Sequence, residues 1–226
     1  IGEARKLGLL VYSNFMKSYA MTDTDFDDIA RVSANFGSQA VYLVDSAGGM
    51  VPDDIRRYMD AMRSAVDLPL GFHGHNNLNL AVANSLIAIE HGATIVDTTL
   101  LGMGRSSGNA PTEVMIPLLQ RCHEACRDLD PILFVELAER AISPFLKNRW
   151  DNSEKTALGL AQVHSNYADR IRRAAEDNGK NFFSLIGEVG HLDKLNLPPT
   201  TLESALAACR SEEEIARVLG DISMIE

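Results

Sequence analysis

Cysteine is scarce in this sequence: three among 226 residues, Cys122, Cys126 and Cys209. An odd number without zinc-like spacing argues against a disulfide framework or a structural zinc site. Buried or half-exposed thiols in a reducing compartment are the reading. The four-residue step from Cys122 to Cys126 predicts one shared helix face. No apolar stretch approaches the roughly 20 residues of a membrane span, and no basic-apolar leader opens the chain. A cytoplasmic protein without a membrane partner is therefore expected. Positive charge is also short, with 21 Lys and Arg against 31 Asp and Glu, a net −10. A nucleic-acid binder needs a basic footprint to release counterions, so nucleic acid is not an expected partner. There is no low-complexity segment and no long run of like charge. The Glu212–Glu214 triplet reads as the solvated first turn of a helix. The single tryptophan, Trp150, sits in a polar stretch.

What is present is an alternation of two periodicities. Apolar runs at Leu7–Met16, Ala40–Val44, Leu68–Phe72 and Thr94–Leu101 predict four strands. Helices are predicted between them. The first follows the capping residues Thr22–Asp25, shows Ile29, Val32 and Phe36 at helical spacing, and ends at Gly37. The second runs from Pro52 to about Val66 and the third from Leu78 to Glu90; a fourth starts near Pro111. Short uncharged strands alternating with amphipathic helices imply a parallel sheet covered by helices. Right-handed crossovers then gather the strand-to-helix loops at one end, where such sheets hold ligands. After about Leu129 helices dominate: Pro131–Ile142, Ala157–Asp177, Phe182–Gly187, Leu202–Cys209 and Glu212–Leu219. The polar linker Ser143–Ser153 divides residues 1–142, the α/β part, from residues 143–226, a small helical domain. Ile1–Arg5 reads as the interior of an amphipathic helix, so a fragment or processed piece is expected.

Three loops carry the candidate chemistry. In Gly71-Phe72-His73-Gly74-His75-Asn76-Asn77, residues two apart on a strand share a face. His73 and His75 therefore project together at the end of the third strand. Two imidazoles at that spacing suit a transition metal or Mn²⁺ with coordination positions left for substrate; two hydrogen-bonded histidines at a polar strand end are the plainer alternative. Asp45, in Asp45-Ser46-Ala47-Gly48-Gly49, either orients a ligand or caps the loop backbone, and the cap is preferred. Ser46 has no visible His/Asp arrangement and is a weak nucleophile, though its hydroxyl suits a carboxylate. Residues 102–109 hold three glycines that let backbone approach a ligand, but lack the Gly-Lys-Ser/Thr ending of a phosphate loop. Arg105 is read as solvated.

Together, Asp45-Ser46-Ala47-Gly48, His73-Gly74-His75-Asn76-Asn77-Leu78 with Ala81–Ser85, and Gly102-Met103-Gly104 with Gly108-Asn109-Ala110-Pro111 and Glu113 resemble the metallo-aldolase family. That family includes 4-hydroxy-2-oxovalerate aldolase, 3-hydroxy-3-methylglutaryl-CoA lyase, isopropylmalate synthase and homocitrate synthase. The likeness is closest to the aldolase. It runs from about Leu7 to Leu119 and continues more weakly through Leu158–Arg170 and Phe183–His191. It implies a TIM (β/α)8-type barrel, of which this chain holds the last four units, and cleavage of a 4-hydroxy-2-oxo acid to pyruvate and an aldehyde. It also implies a divalent ion, Mn²⁺ with Mg²⁺ or Co²⁺ as alternatives, bound by His73 and His75 and supported by Asn109. Ser46 would hold the pyruvate carboxylate. Asp45, Asn77, Gly104 and Gly108 would support the site. His164 stands where the family has a tyrosine that assists the catalytic base. The family's first strand brings an aspartate ligand, an arginine and, nearby, a histidine, for which this sequence has no counterpart. The resemblance further implies an acylating aldehyde dehydrogenase as a partner of the helical tail. Self-association or a separate first half would complete the barrel. A Claisen-type acyl-CoA synthase and a non-catalytic interaction module are the competing readings.

Overall fold

The computed structural model describes residues 1–146 and 153–222, and the chain divides by packing into two compact units, Ile1–Asn152 and Ser153–Glu226. In the first unit the elements are α1 (Gly2–Lys6), β1 (Tyr12–Phe15), α2 (Asp23–Asn35), β2 (Ala40–Asp45), α3 (Pro52–Ala65), β3 (Leu70–Gly74), α4 (Ala81–Glu90), β4 (Ala93–Val96), α5 (Thr112–Cys122) and α6 (Pro131–Leu137). The four strands form one parallel sheet in the order β1-β2-β3-β4. This is an α/β fold and a partial barrel.

Strand β2 is buried along its whole length, as expected of a central parallel strand covered on both faces. Val41 and Leu43 face the helices, in a core with Phe15, Phe26, Ile55, Tyr58, Met59, Met62 and Phe72. Burying each of these larger side chains contributes about 1.5–3 kcal/mol. Ala40, Tyr42 and Val44 face the other way and pack with Ile95. The pairing of Val44 with His73 puts His73 on that second face, away from the helices.

Several boundaries differ from the sequence reading. The first strand was expected over Leu7–Met16, but only Tyr12–Phe15 pairs with β2, and Gly8 breaks the run at φ +78°. The fourth strand was expected to reach Leu101. It stops at Val96, and the Thr99 amide donates instead to the Ala110 carbonyl. Ile29, Val32 and Phe36 are exposed; the buried face of α2 is built from Phe26, Ala30 and Ser33. Cys122 and Cys126 do not share a helix face, because α5 ends at Cys122 and Glu124 and Cys126 take left-handed backbone. The helix from Pro131 becomes a π-helical turn over Ala138–Ile142. Trp150 and most of the expected linker lie outside the described residues, while residues 143–146 fall in the first unit.

The second unit contains α7 (Ser153–Ala161), α8 (Ala168–Asp177), α9 (Phe182–Leu192), α10 (Pro199–Ala208) and α11 (Glu212–Ile222). Leu158, Ile171, Leu185, Ile186 and Val189 form its core. The single helix expected over Ala157–Asp177 is broken: Gln162 sits at φ +52° and the chain restarts at His164. No described helix is long and apolar enough to cross a membrane.

Candidate metal centre

The three loops expected to carry chemistry come together at the carboxyl end of the sheet. His73 lies on β3 and His75 just beyond it, with ring centroids 5.2 Å apart and planes 85° to each other. His73 Nδ1 is 3.0 Å from Asp97 Oδ2. His75 Nδ1 is 3.3 Å from the Gly108 carbonyl oxygen. A neutral imidazole that donates from Nδ1 carries its lone pair on Nε2, the atom a metal takes. An Nδ1–H on each ring satisfies these two contacts and leaves each Nε2 lone pair available to a metal.

Asn109 is a candidate third donor. It is 9% exposed and forms an antiparallel bridge with His75, and its buried Oδ1 has no hydrogen-bond partner among the described residues. A buried amide oxygen without a donor is costly and calls for an explanation. A cation accepted by this oxygen is one. Two imidazole nitrogens and an amide oxygen form a donor set that fits a divalent ion such as Mn²⁺. Among the described residues, no group of three or more His, Cys, Asp or Glu side chains surrounds a possible ion.

Glycines shape this corner. Gly108 lies at φ +83°, where a Cβ would stand 1.9 Å from the Gly102 carbonyl oxygen. A Cβ on Gly104 would stand 2.6 Å from Asn109 Nδ2, so the side-chain amide packs directly on the Gly104 backbone. The Gly108 carbonyl also accepts from the Asn76 amide at 2.9 Å. Asn77 Nδ2 donates to Ser106 Oγ at 2.8 Å, and the Leu78 amide donates to the Gly48 carbonyl at 3.0 Å. The three loops are cross-tied through backbone and amide groups. Arg105 is exposed.

Asp45 is a loop cap: Oδ1 accepts from the Gly49 amide at 3.1 Å and Oδ2 from the Met50 amide at 3.0 Å. Burial pushes its carboxyl up to about 6, against the Met50, Gly49 and Gly48 amides, which favour the charge; the nearby Asp54 adds to the rise. The unfolded chain ionises at the ordinary value of 3.8, before the folded chain does. The favourable contribution of protonated Asp45 is therefore complete below about pH 4 and is lost as pH rises through about 6. It is worth at most about 3 kcal/mol. Urea unfolding at intervals from pH 4 to 7 is expected to show this downward component in the parent and not in Asp45→Asn. Identical pH profiles would rule it out.

Ser46 is 3% exposed, and its Oγ accepts from the Lys17 amide at 2.9 Å. It ties the loop after β2 to the loop after β1, and its proton remains one that it can donate. His164 is in the helical unit, 2% exposed, where its Nδ1 accepts from the Asn166 amide at 3.2 Å and caps a short 3-10 turn.

Asp97 is a candidate site residue absent from the sequence-based set. Its signal was there: an aspartate after an apolar strand, as with Asp45. Extending the fourth strand to Leu101 hid Asp97 inside it.

The family described as HMGL-like matches residues 1–137. The chain belongs to the HMGL-like family. Two curated relatives are named 4-hydroxy-2-oxovalerate aldolase. One, from Geobacillus stearothermophilus, is 35% identical over 191 residues, which cover 84% of this chain and 56% of the relative. The other, from Carboxydothermus hydrogenoformans, is 36% identical over 192 residues, again 84% of this chain and 56% of the relative. This HMGL-like chain thus spans about half the length of the curated relatives it matches. Among solved structures, the carboxyl transferase domain of Rhizobium etli pyruvate carboxylase with pyruvate has a TM-score of 0.65 at 15% identity, covering 90% of this chain and 38% of that one. At that identity the likeness shows the fold alone.

Proposed function

We propose that this HMGL-like chain carries the metal face of a carbon–carbon lyase that cleaves a 4-hydroxy-2-oxo acid to pyruvate and an aldehyde. The observation that carries the reading is the triad of His73, His75 and Asn109, with both rings anchored through Nδ1 and the Asn109 Oδ1 buried without a donor among the described residues. The relatives' names supply the reaction class. His73, His75 and Asn109 would hold the ion, with manganese the first choice and magnesium or cobalt the alternatives. When bound there, a divalent cation stabilises the negative charge that develops on enolate oxygens as the carbon–carbon bond breaks.

The chain's own residues do the rest of the positioning. Ser46, fixed by the Lys17 amide, offers its hydroxyl proton to the substrate carboxylate. His164, whose Nδ1 accepts from the Asn166 amide, is the residue proposed to assist a catalytic base by hydrogen bonding, as the family's tyrosine does. The helical unit is the proposed docking face for an acylating aldehyde dehydrogenase. Strands β1 and β4 are the two sheet edges at which barrel closure takes place, by self-association or by a separate half. A non-catalytic interaction module is the second reading. The observation on its side is that no cluster of three His, Cys, Asp or Glu ligands occurs among the described residues.

Proton exchange separates the two. With manganese, the chain is expected to exchange pyruvate methyl protons with D₂O, followed by NMR. His73→Ala should slow this by at least the roughly 10- to 100-fold that even an outer-shell change costs a metal site. No exchange by the parent at any manganese concentration would move the interaction module to the front.

A further inference from the structure

We propose that Asp97 is a positioning residue of the metal centre: its carboxylate holds His73 in the Nδ1–H tautomer and the orientation that aims Nε2 at the ion. The inference rests on the metal reading of His73 and His75.

The sheet is built to place this carboxylate. Leu70 pairs with Ala93, yet Gly71 pairs with Ile95 and Phe72 with Val96. The register shift between Leu70 and Gly71 leaves Thr94 as the extra residue on β4. Because side chains alternate along a strand, one added residue exchanges which side chains share a face. Without the shift, apolar Val96 would stand beside His73; with it, Asp97 does. The Asp97 amide then donates to the Phe72 carbonyl at 3.1 Å, which holds the aspartate abreast of the histidine.

Stability alone gives little reason for the arrangement. The His73 and Asp97 side chains are 25% and 45% exposed, and pairs of that kind contribute little to folding. Nor does Asp97 act as a further ligand in this geometry: its oxygen is on the ring nitrogen facing away from the proposed ion, and His73, His75 and Asp97 do not surround a common point. A carboxylate on the far nitrogen of a liganding histidine fixes the ring and makes the other nitrogen a better donor.

The molecule contains its own control. His91 Nδ1 lies 3.0 Å from Asp60 Oδ1, with side-chain exposures of 25% and 48%, at the end of α4 rather than beside the site. It is a similar histidine–aspartate pair outside the site, with Asp60 Oδ1 also accepting from Arg63.

The full chain with Asp97→Ala, Asp97→Asn, Asp60→Ala and His73→Ala is compared by Mn²⁺ binding, followed by EPR of the unbound ion. The His73 tautomer of the metal-free protein is read from its ¹⁵N shifts. Asp97→Ala is expected to weaken Mn²⁺ binding about 10- to 100-fold and to release His73 from the Nδ1–H tautomer. Asp97→Asn, whose amide oxygen still accepts from Nδ1–H, should fall between it and the parent, and Asp60→Ala should bind as the parent does. A parent that binds Mn²⁺ through His73, with Asp97→Ala binding equally well, overturns the inference and leaves the metal reading intact. A parent that binds no better than His73→Ala overturns the metal reading and this inference with it. Complete loss in both Asp97 variants, with the tautomer unchanged, would make Asp97 a ligand and overturn the positioning role.

Discussion

Gly108→Ala is expected to abolish manganese binding and to cost more than about 3 kcal/mol of folding stability. Two penalties coincide at this position. The backbone is at φ +83°, and the new Cβ would stand 1.9 Å from the Gly102 carbonyl oxygen, which is backbone and cannot swing aside like the end of a flexible side chain. That oxygen is itself committed, accepting from the Asn109 amide at 3.0 Å. The Gly108 carbonyl anchors His75 Nδ1 and the Asn76 amide, and the Gly108 amide donates to the Arg105 carbonyl at 2.9 Å. Any shift that relieves the clash moves the His75 anchor and Asn109 together. Gly179 separates the penalties: it also has positive φ, +61°, but a Cβ there meets no atom of the described residues within 4 Å. Gly179→Ala should show only the conformational cost of about 1–2 kcal/mol. Equal urea midpoints for the two variants would show that the Gly102 contact does not govern the loop.

Asn109 yields the second large effect, and the sign depends on the ion. In the metal-free protein Asn109→Ala should change stability by under about 1 kcal/mol from Oδ1, which gives up no hydrogen bond. Its affinity for Mn²⁺ should nonetheless fall. Asn109→Asp should do the opposite on both counts. Without metal it places a carboxylate at a position 9% exposed, and a buried charge left unpaired costs about 3–5 kcal/mol. With metal the charge gains its partner, and binding to the folded state alone returns about 2.7 kcal/mol at 100 times Kd. Thermal melts with EDTA and with excess Mn²⁺ measure both. A metal-free Asn109→Asp as stable as the parent, or one that Mn²⁺ does not restore, would remove Asn109 from the donor set.

Much of the candidate site's placement was legible because its signals are local. His73 and His75 are two apart at a strand end, and the alternation of a strand puts them together whatever surrounds them. Asp45 is legible as a loop cap because an aspartate opening a glycine-rich loop reaches amides within its own turn, here those of Gly49 and Met50. The strands were legible as uncharged runs, but their ends were not. Hydrophobicity continues past Val96 to Leu101, while hydrogen bonding turns the Thr99 amide to Ala110. In α2 the conspicuous apolar set of Ile29, Val32 and Phe36 is exposed, and the smaller Ala30 and Ser33 join Phe26 inside. Residue size alone does not say which stripe meets the sheet.

The sequence by itself determined the four β/α units, the paired histidines and the glycines that open the loop at 102–109, since each follows from periodicity or backbone permission within a few residues. Only the tertiary structure decided what those groups touch. Ser46 accepts from Lys17, 29 positions away, and His75 is anchored on Gly108, 33 positions away. Asp97 rather than Val96 stands beside His73 because two strands pair with a one-residue shift. Pairing register is a property of two segments packed on a common core, and neither segment carries it alone.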